Sequence, residues 1–408
     1  MKGISILLTT VILLAAMVGC SGNGLVEYDL TIASTSGGSV AEPGEGIFAY
    51  DEGTVVQLVA AADEGYWFVE WTGNVGTIAD PNDATTTITM NSSYSITANF
   101  ASATEIYDWY DLDAVRDNLG GNYTLMSDLD CTTPGYEELA SSTANGAKGW
   151  QPIGGMYPDE AFVGSFDGQN CEIRDLVISR PGEMCVGLFG AVGETGVVEN
   201  LGVVNSSANG GIDVGGLVGA NLGTVSNSYA TGNMTASFDS VGGLIGFTAG
   251  IVNNSYSTGT VTGDRCVGGL VGYNGGTDFA ATVNSSYSTG TVTGSEWVGG
   301  LVGFNMEGCT VSHSYSIGSV TGNSSVGGLV GYNHDGSVTH SFWDTETSGQ
   351  ATSDGGTGKT TAEMHDIVTF SGAGWPIIAV ANSSTRDPAY IWNIVNNVTY
   401  PFLSWEAV

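Results

Sequence analysis

The sequence predicts an all-β protein: a β-solenoid (β-helix) of about seven coils, with a small N-terminal β domain and a C-terminal cap. Three observations predict it. The pentad GGLVG, or GGLIG, begins at Gly215, Gly242, Gly268, Gly299 and Gly327, in steps of 27, 26, 31 and 28 residues, and a degenerate VGLFG begins at Val186. The nonapeptide SYSTGTVTG stands at 255–263 and again, unchanged, at 286–294. Glycine fills 63 of 408 positions against 9 prolines, as in a chain of many short strands joined by tight turns. A period of this length marks a solenoid with one coil per repeat.

The chain opens on MKGISILLTTVILLAAMVGC, with one early cation at Lys2 and an apolar run from Ile4 to Val18. Residues 1–19 read as a secretory signal, too short for a stable spanning helix. The ending MVGC resembles a lipobox, with Met17 where Leu is usual. Cys20 is then the lipid attachment site and the new N-terminus, and residues 20–27 form a tether. Acyl chains on Cys20 hold a protein at a membrane without a spanning segment. The expected location is therefore the cell surface, secreted and membrane-anchored.

Residues 28–101 form a separate small β module. YDLTIAS, GTVVQLVAAA, TTTITM and SYSITANF alternate apolar and polar residues, as half-buried strands do. Turn signals lie between them at Gly37-Gly38, Pro43-Gly44, Gly73-Asn74 and Pro81-Asn82. Trp67 and Trp71 are expected to anchor its core. Asp80–Asp83 (DPND) reads as a turn, because the remaining ligands of a calcium loop are missing. The stretch from GGSVAEP through GYWFVEW to SITANF resembles the divergent internalin-type B repeat, which implies a spacer or binding module of a surface protein.

Residues 102–122 are a linker and capping helix, with one helix expected over 104–119. Leu112, Val115 and Leu119 recur at helical spacing, and Gly120-Gly121 supplies a stop. An uncovered solenoid end is an exposed sheet edge. Residues 123–342 are the repeat array. After each glycine pentad comes a second block (VENLG at 198, VSNSY at 225, VNNSY at 252, VNSSY at 283, VSHSY at 311, VTHSF at 338) and after most of these a third (TGNMT, TGTVT, TGTVT, IGSVT). Three short strands per coil suggest a roughly triangular cross-section. Residues 343–408 hold four of the nine tryptophans and Thr360-x-x-Glu363, a capping box. They are expected to cap the last coil.

VGGLVGYN, NSYSTGTVTG, GSFDG and the tail FWDTETSGQATSDGGTGKTTAEM together resemble the GLUG-motif repeat family. The resemblance covers about two-thirds of the chain. It implies a β-solenoid of a secreted or cell-surface protein, and some such repeats accompany IgA-specific metallopeptidases. The motif names a scaffold and carries no activity of its own.

Stacked coils turn each motif position into a ladder with strand spacing. Leu188, Leu217, Leu244, Leu270, Leu301 and Leu329 are expected to point inward. Asn221, Asn274, Asn305 and Asn333, interrupted by Thr248, suit a hydrogen-bonded amide stack. Tyr229, Tyr256, Tyr287, Tyr315 and Phe342 form one aromatic column, and Phe247, Tyr273, Phe304 and Tyr332 a second. The Val column of the pentad (Val218, Ile245, Val271, Val302, Val330) either turns inward at a bend or faces outward as an apolar stripe. Cys171 and Cys309 share a cramped column with Gly196, Gly223, Gly250, Ala281 and Gly336. Cys131 with Cys171 is the one disulfide considered. Five cysteines follow Cys20, an odd number, so at least one is free.

The net charge of −34 argues against nucleic acid, which needs Lys and Arg. No HExxH, GxSxG or complete phosphate loop is present, so peptidase activity does not carry over from the family. No CxxC spacing indicates zinc. No cofactor is expected, and no motif indicates Ca2+. Asp213, Asp239, Asp264 and Glu296 fall near one coil corner beside Arg265, with Trp297 in the column of Cys266 and Ser240. Thr260, Thr262, Thr291 and Thr293 form a two-column hydroxyl array. The expected role is non-catalytic adhesion, or binding of extracellular carbohydrate or protein. The candidate ligand residues are Trp297, Asp264, Glu296 and those four threonines. The alternatives are a polysaccharide-processing β-helix enzyme working at the acidic corner and, third, ice binding through the Thr-x-Thr face.

Overall fold

A computed structural model describes residues 26–63, 66–102, 104–156, 160–276 and 280–406. The chain divides into two compact units, one ending at Ser102 and one formed by the rest.

The first unit holds β1 (Glu27–Ser34), β2 (Gly38–Glu42), β3 (Gly46–Asp51), β4 (Val55–Ala62), β5 (Tyr66–Gly73), β6 (Thr85–Thr89) and β7 (Tyr94–Ser102). They form two sheets, ordered β3-β1-β7-β5 and β2-β4-β6. Alternation buries Leu30, Ile32, Val56, Leu58, Ile88 and Ile96 between the sheets. Trp71 is in this core, and its Nε1 donates to the Asp83 carbonyl at 3.1 Å. Trp67 is only half-buried, contrary to expectation. A register shift between Phe68 and Glu70 puts Phe68, not Trp67, against Trp71 and Phe100. Asp80 and Asp83 accept from the amides of Asn82 and Thr85 at 2.9 Å, the short-range bonding of an Asx turn.

The second unit is a β-solenoid with three faces. The first face carries nine strands, from Thr104–Ile106 and Asn122–Leu125 through Ser165–Asp167 to Ser337–Thr339. The second is a sixteen-stranded sheet, and the third stacks six strands from Phe189–Val192 to Val330–Asn333. Pairing along every face of the repeat array is parallel. The third face marks about six complete turns rather than seven. Between 126 and 164 the described residues pair through four isolated bridges, Leu129 to Ile173, Gly149 to Ile178, Ile153 to Phe189 and Phe162 to Val192, with two short helices among them. Pro134 and Pro152 lack the amide a ladder needs.

The predicted helix over 104–119 is shorter than expected. Thr104–Ile106 joins the first face by pairing with Asn122–Leu125. The helix spans Trp109–Ala114, capped by the Asp108 carboxylate, and a single tighter turn follows at Val115–Asp117. Ile106, Trp109, Leu112, Val115, Trp150 and Phe162 are fully buried over the first coil and continue into its core, covering that end.

The inward Leu column is fully buried throughout, and so is the Val column. The pentad bends at its glycines, so neighbouring Leu and Val both turn inward around one corner. A Cβ on Gly269 would lie 2.1 Å from the Gly300 carbonyl oxygen and 2.3 Å from Ser288 Oγ. Only glycine admits that approach. Cys131, Cys171, Cys185 and Cys266 are free thiols. The Cys131–Cys171 bridge does not form, because Cys131 is exposed while Cys171 Sγ turns toward the Leu125 carbonyl at 3.9 Å.

Two buried polar spines run along the stack. Ser228, Ser255, Ser286, Ser314 and Ser341 are buried, the last 1% exposed. Each hydroxyl donates to the carbonyl two residues earlier at 2.7–2.8 Å. Each also accepts an amide from the coil before it, as in Ser255 N to Ser286 Oγ at 3.1 Å. The residue before each serine (Asn227, Asn254, Ser285, His313 and His340) has φ between 46° and 49°, a region that Asn and His tolerate better than most residues. The expected amide stack is the second spine: Asn274 donates to Asn305 and Asn305 to Asn333, both at 2.7 Å, while Asn221 donates to Thr248 at 3.1 Å.

The C-terminal segment does more than cap. Ser353 Oγ accepts the amides of Leu329 and Val330, and Thr352 accepts that of Gly328, closing the last coil. The capping box at Thr360 and Glu363 is present. The chain then runs back along the Tyr column. Trp405 donates to the Asn254 carbonyl at 3.0 Å, and Tyr315 donates to that of Pro401 at 2.5 Å.

Ser286→Ala removes both bonds of its hydroxyl and leaves the Ser255 amide buried without a partner. The variant should lose about 1–3 kcal/mol in chemical unfolding. Ser288 is equally buried, yet its hydroxyl has no partner among the described residues. Ser288→Ala should cost less than about 1 kcal/mol. Equal losses in the two variants would contradict the assigned bonding.

Candidate functional site

The corner residues singled out from sequence occupy three distinct positions. Asp239, Arg265, Glu296 and Ser324 are partners in one strand register. Asp264 lies outside it, exposed in the preceding turn, where its backbone carbonyl accepts the amides of Ser295 and Glu296 at 2.8 and 2.9 Å. Asp213 is placed differently again. It belongs with Cys185, Ser240, Cys266, Trp297 and Ser325, whose φ values of 48–57° make the second left-handed column. The four carboxylates thus do not converge as the acidic corner required.

Trp297 is half-buried and held by three partners. The Arg265 guanidinium lies 4.3 Å from its ring centroid and forms an ion pair with Glu296 at 3.2 Å. Phe304 packs at 5.1 Å, and the Tyr332 ring lies within 16° of parallel at 5.9 Å. Cation–π and aromatic contacts of this kind fix a ring's position. They join Trp297 to the second aromatic column, a link that spacing within one repeat does not reveal.

Thr260, Thr262, Thr291 and Thr293 are all exposed on the second face. Thr262 pairs with Thr235 on one side and with Thr293 on the other, and Thr293 pairs with Thr321. Met234, Val261, Val292 and Val320 point inward between them. The alternation makes a hydroxyl ladder interrupted by Asn233 in the outer column.

The two aromatic columns differ in cover. Tyr229, Tyr256, Tyr287 and Tyr315 stack at 4.7–5.0 Å with interplanar angles of 8° or less. Trp405, Trp392 and Trp375 lie over them, and Tyr287 donates to half-buried Glu406 at 3.1 Å. Burial holds the Tyr287 and Tyr315 hydroxyls far above the usual phenol range. The second column, Phe247, Tyr273, Phe304 and Tyr332, stacks at 4.7–5.6 Å. Phe247, Tyr273 and Tyr332 stay half-exposed, and the C-terminal segment covers the other flank.

Asp213 is 7% exposed. Burial raises its carboxyl from an ordinary 3.8 to about 7; the neighbouring Asp239 charge adds to this and the Ser240 hydroxyl opposes it. Burial likewise lifts Glu406 to about 7, against hydrogen bonds from Leu403 and Tyr287 and the Arg386 charge. The buried Cys185 thiol is pushed up to about 12, chiefly by burial, which keeps it un-ionised and unreactive. Among the described residues no group of three or more His, Cys, Asp or Glu side chains is arranged to hold a metal ion. Cys20 lies outside the described residues.

Residues 28–104 match the divergent InlB B-repeat domain, and residues 210–235, 263–293 and 322–342 match the GLUG motif. Halomucin of Haloquadratum walsbyi is 36% identical over 137 residues, 33% of this chain and 1% of halomucin. A protein of Evansella cellulosilytica named "Putative Gly-rich membrane protein" is 35% identical over 123 residues, 28% of this chain and 13% of that protein. The matches thus span a small part of either relative. A Bacteroides ovatus crystal structure described as a "putative immunoglobulin A1 protease" aligns over 75% of this chain and 93% of its own, with a TM-score of 0.54 and 19% identity. This last likeness is one of fold.

Because the folded pKa of Asp213 is raised, the folded state keeps a proton between about pH 4 and 7 that the unfolded chain has lost. Stability should fall as pH rises through that window and level off above 7. Asp213→Asn, which also suits a left-handed position, should match the parent near pH 4 and exceed it by about 1–4 kcal/mol at pH 8. Urea unfolding at both pH values measures this, and an Asn variant less stable than the parent at pH 8 would overturn the assignment.

Proposed function

We propose that this protein, a GLUG-repeat β-solenoid joined to an InlB-type B-repeat module, is a lipid-anchored cell-surface protein that binds an extracellular carbohydrate or protein without catalysis. One observation carries the reading. Of two aromatic columns built the same way, the chain buries Tyr287 and Tyr315 of one beneath its own tryptophans, with Tyr229 and Tyr256 partly exposed under Trp405, and leaves Phe247, Tyr273 and Tyr332 of the other half-exposed. The open strip ends beside Trp297 and the Arg265–Glu296 pair. Half-exposed rings on a rigid ladder offer many weak contacts in fixed register.

Supporting this are the signal-like N-terminus with its lipobox at Cys20, and relatives named halomucin and Gly-rich membrane protein. Cys20 supplies the membrane contact through its lipid. The exposed Thr260, Thr262, Thr291 and Thr293 add a hydroxyl surface on the second face, and the net charge of −34 keeps nucleic acid away. The dispersal of Asp213, Asp239, Asp264 and Glu296 weighs against the polysaccharide-processing alternative, because a carboxylate pair must flank one bond.

On a glycan and matrix-protein array the full chain should bind at least one ligand. Trp297→Ala and Tyr332→Ala should each weaken that binding about tenfold, or about 1.4 kcal/mol. Binding untouched by both would remove the strip from the function. Turnover of an acidic polysaccharide that is lost in Asp264→Asn would overturn the non-catalytic reading. Cys20→Ser should move the protein from the membrane to the soluble fraction, and retention at the membrane would disprove the anchor.

A further inference from the structure

The third face ends in a gap. Its outward column runs Ala191, Ala220, Phe247, Tyr273, Phe304 and Tyr332 in continuous register. Ala161 extends the column, because the Phe162–Val192 bridge sets it beside Ala191. Three alanines are thus followed by four rings. Where rings are absent lies a cavity of about 640 Å³, walled by Phe247, Met156, Val163 and Leu222 with the alanines at its base. At strand spacing, three missing rings correspond to a trough of about 14 Å.

Asp213 also lines this cavity, and it is more than nine-tenths buried. Exposed Glu194 stands at the rim. Among the described residues no cationic side chain lines the cavity. A volume of this size suits a small molecule, with apolar walls for contact and a few polar groups for orientation.

We infer that the trough binds an arylalkylamine, whose planar ring continues the ladder against Phe247 and whose ammonium meets the Asp213 carboxylate. The ring takes the place that a side chain fills in later coils, with offset stacking like that of Tyr273 on Phe304 at 4.7 Å. Asp213 faces Ser240 and Asp239 within its own sheet, and no cation among its described partners competes for it. A cationic ligand supplies the missing partner of a buried carboxyl. The site shares Phe247 with the strip assigned to surface binding, but Trp297 and Tyr332, on which the strip is tested, do not line the cavity, so either assignment stands without the other.

Tryptamine titrated into the full-length protein at pH 8, followed by calorimetry, tests the inference. Saturable one-to-one binding is expected, with indole-3-acetate at least about tenfold weaker because its charge is reversed. Ala220→Phe supplies the missing ring and should abolish binding. Asp213→Asn leaves the trough open and should weaken tryptamine about tenfold while hardly affecting neutral indole. Absence of tryptamine binding, equal affinity for indole-3-acetate, or full affinity in Asp213→Asn would each overturn the assignment, whether or not Ala220→Phe folds.

Discussion

The structure depends on a buried hydroxyl. Where the first face turns into the second, each coil places a serine inside the stack, and its oxygen both donates within its own coil and accepts from the coil before. A left-handed residue precedes the serine and makes the corner. Without that oxygen, the amide at every corner would be desolvated and unpaired, a cost comparable to a whole hydrogen bond. Once the corner is set, the rest follows in register. The Leu and Val columns turn inward, the Asn spine closes the opposite side, and the aromatic residues fall into stacks.

Much of this was legible because repetition makes columns visible. The Leu column, the Asn stack and the capping box at Thr360 and Glu363 follow from residue type and spacing. So does the inward Val column, once the pentad glycines are seen to bend the strand. The serine stands four times in VxxSY and once in VTHSF, yet a small polar residue beside a turn reads as solvated. Only the stacking of coils buries it. Trp67 was misplaced for a local reason, since a one-residue register shift exchanges the two faces of a strand. Thr104–Ile106 lost its helical assignment to pairing with a distant strand, a tertiary effect that local pattern does not contain.

The site was less legible than the fold. Spacing gathered Asp213, Asp239, Asp264 and Glu296 at one corner, but the left-handed column alternates with the strand register and distributes them among three surroundings. Trp297 draws its partners from three coils: Arg265 from the one before, Phe304 from its own and Tyr332 from the next. The alanines preceding Phe247 are unremarkable as letters. Their meaning appears only against the rings that follow them in the same column. The C-terminal segment likewise separates two aromatic stacks that the sequence presents as equivalents, by burying Tyr287 and Tyr315 under its tryptophans.

That division between a sealed column and an open one is the centre of the functional account, and chemical labelling tests it directly. The native protein can be nitrated under limiting reagent and each tyrosine's extent of reaction read by mass spectrometry. Tyr273 and Tyr332 should react well before Tyr287 and Tyr315, whose hydroxyls are buried against Glu406 and the Pro401 carbonyl. Equal reaction in the two columns, or faster reaction of Tyr287 and Tyr315, would contradict the account.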